Sequence, residues 1–551
     1  MDITYHAIVE QNKGKEFPRA GYSAREKIRD AAIILSLVNI AYLRVWTELL
    51  ALTPADQYWD SWAPGRVDYL AAVLGCVGIA AALFAMVLLV RLKLRGWAQR
   101  LPYFVFLILS LISGLVLRDV LVAHYPDTFD FLREPFLYAL SRRVLHAVFV
   151  TVCMALLLAL IRYHRPVIRL LGVAFLMVSP FVPMTLGRAL WLAFTASPHS
   201  AAPTVTAPYL AAAPGAPRVV WIIFDEWDYR LTFSGRKPGL AMPAIDRLAG
   251  ESFFAENAFA PTFRTFLSMS SFLDGSLVAE FTPVSATQAM VYYSGRRAPA
   301  LWGSQPNLFS KAREAGFNSA VVAWYIPYCK AFGPVLSSCY WMPMASQANT
   351  TGNGLLAKTV NQARSILETR TVSFFGQSLP TKFKETRYNL LMEHVRAAVR
   401  DPRLGLTLIH LPVPHSPHAY NRLTGKFDLA NRPIAGYIDS LALLDRTVAD
   451  LRNAMERAGQ WDRTVLLLSA DHPFRSSRSL DGKSDSRVPF LLKFAGQRNR
   501  VAYDRCFNTI LTSDLLLKIL KGELTNPDQM RAWLDRQPVR CGPLQLNSSG
   551  E

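Results

Sequence analysis

The hydrophobic and polar positions of this chain follow two rules, and the change falls near residue 195. Before it, apolar residues run on for stretches long enough to cross a bilayer, about 20 positions each. They lie near residues 31–52, 68–90, 102–124, 143–161 and 168–194 and predict five transmembrane helices. The last contains Ser179, Pro180 and Pro183, which predict a kink. After residue 217 the apolar runs shorten. "RVVWIIF" (218–224), "NSAVVAW" (318–324), "LGLTLIHL" (404–411), "TVLLLSA" (464–470) and "VPFLLKF" (488–494) read as strands buried on both faces. Residues 305–315, 385–400 and 436–458 carry apolar positions at helical spacing, the last ending at Gly459. This alternation predicts an α/β domain with a mainly parallel central sheet flanked by helices. Functional sites of such sheets form beyond the carboxyl ends of the strands. Residues 196–217, rich in Ala and Pro, read as a semi-extended linker. The expected order is a membrane domain (1–195), a linker (196–217) and a catalytic domain (218–551).

Charge adds orientation. The chain carries 60 Lys and Arg against 41 Asp and Glu, a formal net charge of +19. That excess can mean nucleic acid. Here much of it flanks apolar segments, and there are no zinc-finger cysteine pairs, no RNA-binding sheet motif and no repeat period. The expected partner is the bilayer, with no nucleic acid. Lys13, Lys15, Arg19, Arg25, Lys27 and Arg29 precede the first span; Arg91, Lys93, Arg95 and Arg100 follow the second. The loop between them holds Asp56, Asp60 and Asp68 beside Arg66. The positive-inside rule therefore places the N-terminus in the cytoplasm. Five spans then place everything after residue 195 on the periplasmic side of an inner membrane. No signal-peptide cleavage pattern is present, so the first span is expected to stay as an anchor. Arg44 and Glu48 read as an i,i+4 pair within that span. Four cysteines fall in the external part and permit two disulfides. Cys329–Cys339 and Cys506–Cys541 are preferred, because each joins nearby sequence.

Three strand ends carry chemistry. The first runs into Asp225 and Glu226, the third into His410 followed by His415 and His418, and the fourth into Asp471 and His472. Carboxylates and imidazoles there suit a divalent cation such as Zn²⁺ or Mn²⁺. Each alone reads as a cap or turn residue; three in one domain point to a metal-assisted site. "APTFRTFLSMSSFLDG" (260–275) supplies a hydroxyl, Thr265, where loop becomes helix. Its plain alternative is a helix N-cap.

With these residues in view, the chain resembles the alkaline phosphatase superfamily, specifically its sulfatase-like branch, over roughly residues 218–496. "TFLSMSSFLDG" is similar to the sulfatase nucleophile segment, with Thr265 in the opening place and Gly275 in the closing one. "LLDRTVADLRNAMERAGQWDRTVLLLSADH" is similar to the helix and strand that lead to the family's second metal-ligand pair. Sulfatases convert a Cys or Ser within Cys-x-Pro-Ser-Arg to formylglycine. Here the place is Thr, the Pro is missing, and Met269 stands where the Arg would be. A Thr nucleophile resembles instead the membrane-bound phosphoethanolamine transferases and lipoteichoic acid synthases. "PHSPHAY" is similar to their Ser-His-Gly-Pro loop and places His415 near the substrate. Lys483, in "DGKSDSRVPF", resembles the anion-holding lysine of sulfatases and phosphonate hydrolases.

The resemblance implies a metal held by Asp225, Glu226, Thr265, Asp471 and His472. Thr265 would be the nucleophile, His415 the proton donor and Lys483 the anion clamp, with Arg264 beside it. The expected activity is a membrane-anchored phosphotransferase. It would take a headgroup phosphate from a phospholipid donor and pass it to a lipid or envelope glycan acceptor. Two other readings stand beside it: a phosphate- or sulfate-ester hydrolase, and a non-catalytic envelope-binding protein.

Overall fold

The computed structural model describes residues 23–50, 59, 64–93, 101–124, 162–163, 166–195, 206–211, 215–295, 298–343, 354–366, 379–416, 418–427 and 436–544. The stretch 143–161, read as a fourth span, lies outside them. The described chain forms two compact units that interleave in sequence. Unit one takes residues up to 51, 66–196 and 351–369; unit two takes 52–65, 197–350 and 370–551.

Unit one is helical. Helix α1 (Ala24–Ala41) starts with a capping box, in which Ser23 accepts from the Glu26 N–H and Glu26 accepts from the Ser23 N–H. After Tyr42 comes α2 (Leu43–Leu49), turned by 61° from α1. Arg44 and Glu48 of α2 pair at 3.4 Å. Helix α3 (Arg66–Lys93) and helix α4 (Leu101–His124) follow. Helices α5 (Pro166–Val178) and α6 (Phe181–Thr195) meet at 44°. Their break falls at Ser179 and Pro180, where the proline lacks an N–H for the helical ladder. Among the described residues, one helix, Arg66–Val90, is long and apolar enough to cross a membrane, or up to three if each bent pair is one span. The apolar part of α4, Pro102–Arg118, is shorter, because Arg118 and Asp119 interrupt it.

Unit two is an α/β domain on an eight-stranded sheet. Its strands are β1 (Arg218–Phe224), β2 (Phe253–Ala255), β3 (Ser319–Trp324), β4 (Ser338–Met342), β5 (Leu406–Leu411), β6 (Thr464–Ala470), β7 (Phe490–Lys493) and β8 (Val501–Tyr503). The spatial order is β8-β2-β7-β6-β1-β5-β3-β4. The central strands are parallel, and all residues of β1, β3, β5 and β6 are buried, which is why they read as unbroken apolar runs. The sheet is mixed rather than wholly parallel. β7 runs against both β6 and β2, because only the short helix Arg478–Asp481 lies between β6 and β7 and no long crossover carries the chain back. Helices α9 (Leu379–Arg400) and α10 (Gly436–Arg457) pack on each other. Helix α7 (Thr265–Asp274) packs against α11 (Thr512–Leu520), which in turn touches β1. Cys329 pairs with Cys339, and Cys506 with Cys541.

One member of this core comes from far upstream. Trp59 is 1% exposed and packs on Phe281 and Trp302, with ring centroids 6.0 and 6.3 Å away. Lys330 Nζ donates to its carbonyl oxygen at 2.8 Å.

Candidate active site

β1, β5 and β6 end side by side. In register, Phe224 stands level with Ala470 on one side and Leu411 on the other. The residues that follow β1 and β6, Asp225 and Asp471, are therefore neighbours, and on β5 His410 lies one position before Leu411, level with Ile223. Asp225, Asp471 and His472 each bring a ligand atom within 4.8 Å of the others, and none of the three is exposed. Thr265 opens α7 and is 8% exposed; its Oγ1 lies 3.2 Å from His472 Nε2.

Thr265 is not the cap of its helix. Arg264 holds the N-cap place, with extended backbone and no side-chain cap bond. The loop before it is fixed instead by Thr262, whose hydroxyl accepts from the Arg264 N–H and lies 2.9 Å from Ser268 Oγ. The Thr265 hydroxyl is left to face the cluster, toward His472 Nε2. Gly275 ends the helix in the left-handed conformation, φ 64°.

Hydrogen bonds fix the tautomer of His472. Its Nδ1 lies 2.9 Å from the Pro473 carbonyl oxygen, so Nδ1–H donates and Nε2 keeps its lone pair toward the cluster. Asp471 Oδ1 accepts from the N–H groups of Glu226 (3.1 Å) and His472 (2.8 Å). Both oxygens of Asp225, Oδ2 of Asp471 and Nε2 of His410 have no hydrogen-bond partner although they are buried. Buried carboxylate oxygens without donors are unfavourable. Two carboxylates, an imidazole lone pair and a hydroxyl are the donor set a borderline divalent cation takes, so the residues fit a metal ion.

The electrostatics agree. Burial pushes the Asp225 carboxyl well above the usual range, and Asp471 adds to the effect. In Asp471 burial pushes the same way, but His472, His410, the Glu226 N–H and the Thr265 hydroxyl outweigh it and hold its carboxyl below the usual range. Two carboxylates this close do not both ionise easily without a cation. Burial also lowers His410 to about 4, so its ring is neutral; Nδ1 lies 3.1 Å from Tyr328 Oη and Nε2 lies 3.8 Å from Asp225 Oδ2.

Other expected residues sit elsewhere. Glu226 is not in the ligand cluster. Its backbone is left-handed, φ 64°, and its Oε1 accepts from Arg475 Nε at 2.9 Å. The strain has a use: it aims the Glu226 N–H at Asp471 while its carbonyl accepts from Tyr437 Oη at 2.7 Å. Lys483 is exposed, past the left-handed Gly482. Its backbone is tied to Asp481 and Arg230, and among the described residues no contact joins its side chain to the cluster. Arg264 is also exposed. His415 packs on Trp324, ring centroids 5.2 Å apart, with Nδ1 2.6 Å from the Ser416 carbonyl oxygen. Burial lowers its pKa, while Glu226 acts the other way. His418 bonds Ser440 Oγ at 3.1 Å and packs on Tyr437 and Phe474, a core role. Sequence reasoning missed Arg475, Tyr328 and Trp324. Arg475 had a signal, a guanidinium three residues past His472 after a strand end.

Asp228 gives a stability test of this region. It caps the short helix Tyr229–Thr232 through the Leu231 N–H, and burial pushes its carboxyl up to about 6. A raised carboxyl contributes fully below its unfolded value and loses that contribution as pH rises through about 6. The loss amounts to about 3 kcal/mol at an order-of-magnitude level. Asp228→Asn is therefore expected to gain stability relative to the natural chain as pH goes from 4.5 to 7.5. Thermal midpoints at the two pH values check it; equal differences at both would show that Asp228 does not titrate with folding.

The sheet order and the acid–imidazole cluster beyond its parallel strands define a protein of the alkaline phosphatase superfamily, sulfatase-like branch. A family model described as "Sulfatase" matches residues 217–520, and the chain belongs to that family. Its enzymes use divalent metal ions. Among solved structures, one from Bacteroides thetaiotaomicron, titled for metabolism of multiple glycosaminoglycans, shows 13% identity over 56% of this chain and 78% of that chain, TM-score 0.39. The phosphonate monoester hydrolase of Agrobacterium radiobacter shows 15% identity over 55% and 74%, TM-score 0.39. An alkaline phosphatase superfamily protein from Vibrio parahaemolyticus shows 16% over 61% and 74%, TM-score 0.38. No curated protein matches the chain.

Proposed function

We propose that this sulfatase-family chain is a membrane-anchored phosphotransferase with a threonine nucleophile. It would move a phospholipid headgroup phosphate to a lipid or envelope glycan on the periplasmic side of an inner membrane. The five-span domain 1–195, the linker 196–217 and the catalytic domain 218–551 belong to this reading. One observation carries it: Thr265 Oγ1 stands 3.2 Å from His472 Nε2 at a cluster of unpartnered carboxylate oxygens, where formylglycine enzymes need a Cys or Ser.

Asp225, Asp471, His472 and Thr265 would hold the cation, Zn²⁺ or Mn²⁺. When bound it supplies Lewis-acid charge that lowers the hydroxyl pKa of Thr265. Thr265 Oγ1 would pass its proton through solvent to His415 and form the bond to phosphorus as the bond to the lipid oxygen breaks. His415 gives that leaving oxygen a proton. An acceptor hydroxyl then attacks the phospho-threonine and gives its proton to His415, which returns it to Thr265 Oγ1 as the Thr265–phosphorus bond breaks. The N–H groups at the start of α7 and the guanidinium of Arg475, held by Glu226, would stabilise the phosphoryl oxygens.

Arg475 thus takes the place expected for Lys483. Arg475→Ala is expected to lower kcat/KM by about 10- to 100-fold, the worth of a charge-assisted hydrogen bond. Lys483→Ala should stay within a few-fold. Equal large losses would return the anion clamp to Lys483.

Labelled phospholipid tests the proposal itself. Label moving through a Thr265 adduct to an acceptor supports transfer. Label released only as free phosphate supports the hydrolase reading, which the family membership favours. No adduct and no bound metal would leave an envelope-binding protein.

A further inference from the structure

A helix in unit one is amphipathic in the reverse sense of a surface helix. Helix α8 (Leu355–Ser365) belongs by sequence to the catalytic half but packs on α3. Its packed face is polar. Lys358 Nζ pairs with Asp68, and Gln362 Nε2 donates to the Asp68 carbonyl oxygen at 3.0 Å. Gln362 and Ser365 are 0% and 2% exposed. The opposite face carries Leu356 and Val360, which are 78% and 55% exposed. A helix beside water shows the opposite arrangement. Leu356 and Val360, four apart, share one face.

The depth of α8 is fixed by α3. Its contacts fall at Asp68 and near Gly75, where an added Cβ would meet Thr359 Cγ2 at 3.4 Å. That is the first few turns of α3, about 10 Å along its axis. The same turns of α3 expose Val67, Leu74 and Val77 at 40%, 51% and 42%. Arg91 and Lys93 mark the other end of α3. Asp68 and Lys358 neutralise each other, so the polar side of α8 needs no water.

We propose that α8 is an interfacial helix, with Leu356 and Val360 set into the acyl-chain boundary of the leaflet on the Arg66 side of α3. Such helices lie about 5–10 Å into the headgroup–acyl boundary. Arg364, exposed one turn past Val360, is placed for headgroup phosphates. The inference rests on reading α3 as a span. It gives the catalytic half its own lipid contact, at the level where a phospholipid donor presents its phosphate.

Depth-dependent quenching tests it. Single cysteines replace Leu356, Val360, Ala82 in the middle of α3, or Leu423, which is 84% exposed in unit two. The full chain carries Cys76→Ser and Cys153→Ser, a bimane label, and phosphatidylcholine–phosphatidylglycerol vesicles with shallow or deep nitroxide lipids. Leu356 and Val360 are exposed, so the label meets no packed neighbour. The expected result is loss of emission with shallow nitroxide at positions 356 and 360, with deep nitroxide at 82, and with neither at 423. Quenching at 82 but not at 356 and 360 overturns the interfacial helix and leaves the anchor intact. No quenching at 82 overturns the anchor and the proposal with it.

Discussion

Thr265→Ala is expected to abolish turnover, by on the order of 10⁴-fold or more in kcat, while the domain stays folded. The hydroxyl has no capping duty, since Arg264 occupies the N-cap, so its removal leaves α7 with its own start and its Gly275 stop. What is lost is the atom 3.2 Å from His472 Nε2 that would carry the phosphoryl group. Thr265→Ser keeps that atom and should retain activity within about tenfold, since the loss of one methyl group is worth only about 1–2 kcal/mol. Intact mass read beside turnover makes the result specific. The natural chain and the Ser variant should gain the mass of a headgroup-phosphate adduct; the Ala variant should not. Full turnover by the Ala variant would remove Thr265 from the chemistry, whatever its place in the cluster.

Chelation should have the second largest effect, on stability and activity together. Asp225 and Asp471 are both buried, and three of their four oxygens accept no hydrogen bond from the described residues. A cation at 100 times its Kd would stabilise the fold by about 2.7 kcal/mol by mass action. Stripping it leaves Asp225 pushed up by its burial and then by the charge of Asp471. Asp471→Asn separates the two contributions. The amide oxygen can still accept from the Glu226 and His472 N–H groups, but the second charge is gone. The metal-free variant should match or exceed the metal-free natural chain in thermal midpoint, gain little from added Zn²⁺ or Mn²⁺, and lose activity by on the order of 10³-fold. Calorimetry with and without chelator checks all three. Equal metal-dependent shifts in both proteins would place the ion elsewhere.

The strand ends were legible because each closes an apolar run. β1 and β6 were read residue for residue, and Asp225, Asp471 and His472 follow them directly. The short strands β2, β4 and β8 were not, since three to five residues at a sheet edge carry no usable period. Nor could sequence separate the roles of Asp225 and Glu226. Adjacent carboxylates look alike until the backbone is known, and the left-handed turn at Glu226 hands its side chain to Arg475. Tyr325 has the same conformation, φ 62°, just past the end of β3. Two strained residues just past the ends of β1 and β3, the strands on either side of β5, mark the side of the sheet on which the chemistry falls. The placement of residues 351–369 in unit one rests on pairings such as Asp68 with Lys358, nearly 300 positions apart, which no local window sees.

Trp59 sets an order of events during synthesis. Its ring partners, Phe281 and Trp302, are made much later, the second after roughly 240 more residues. At roughly 5–20 residues per second, that is a wait on the order of 10–50 s. Throughout it a large indole that the finished domain keeps almost wholly from water has no partner. The catalytic core is therefore closed around a residue made first and buried late, and the time between is when this chain is most exposed to misassembly.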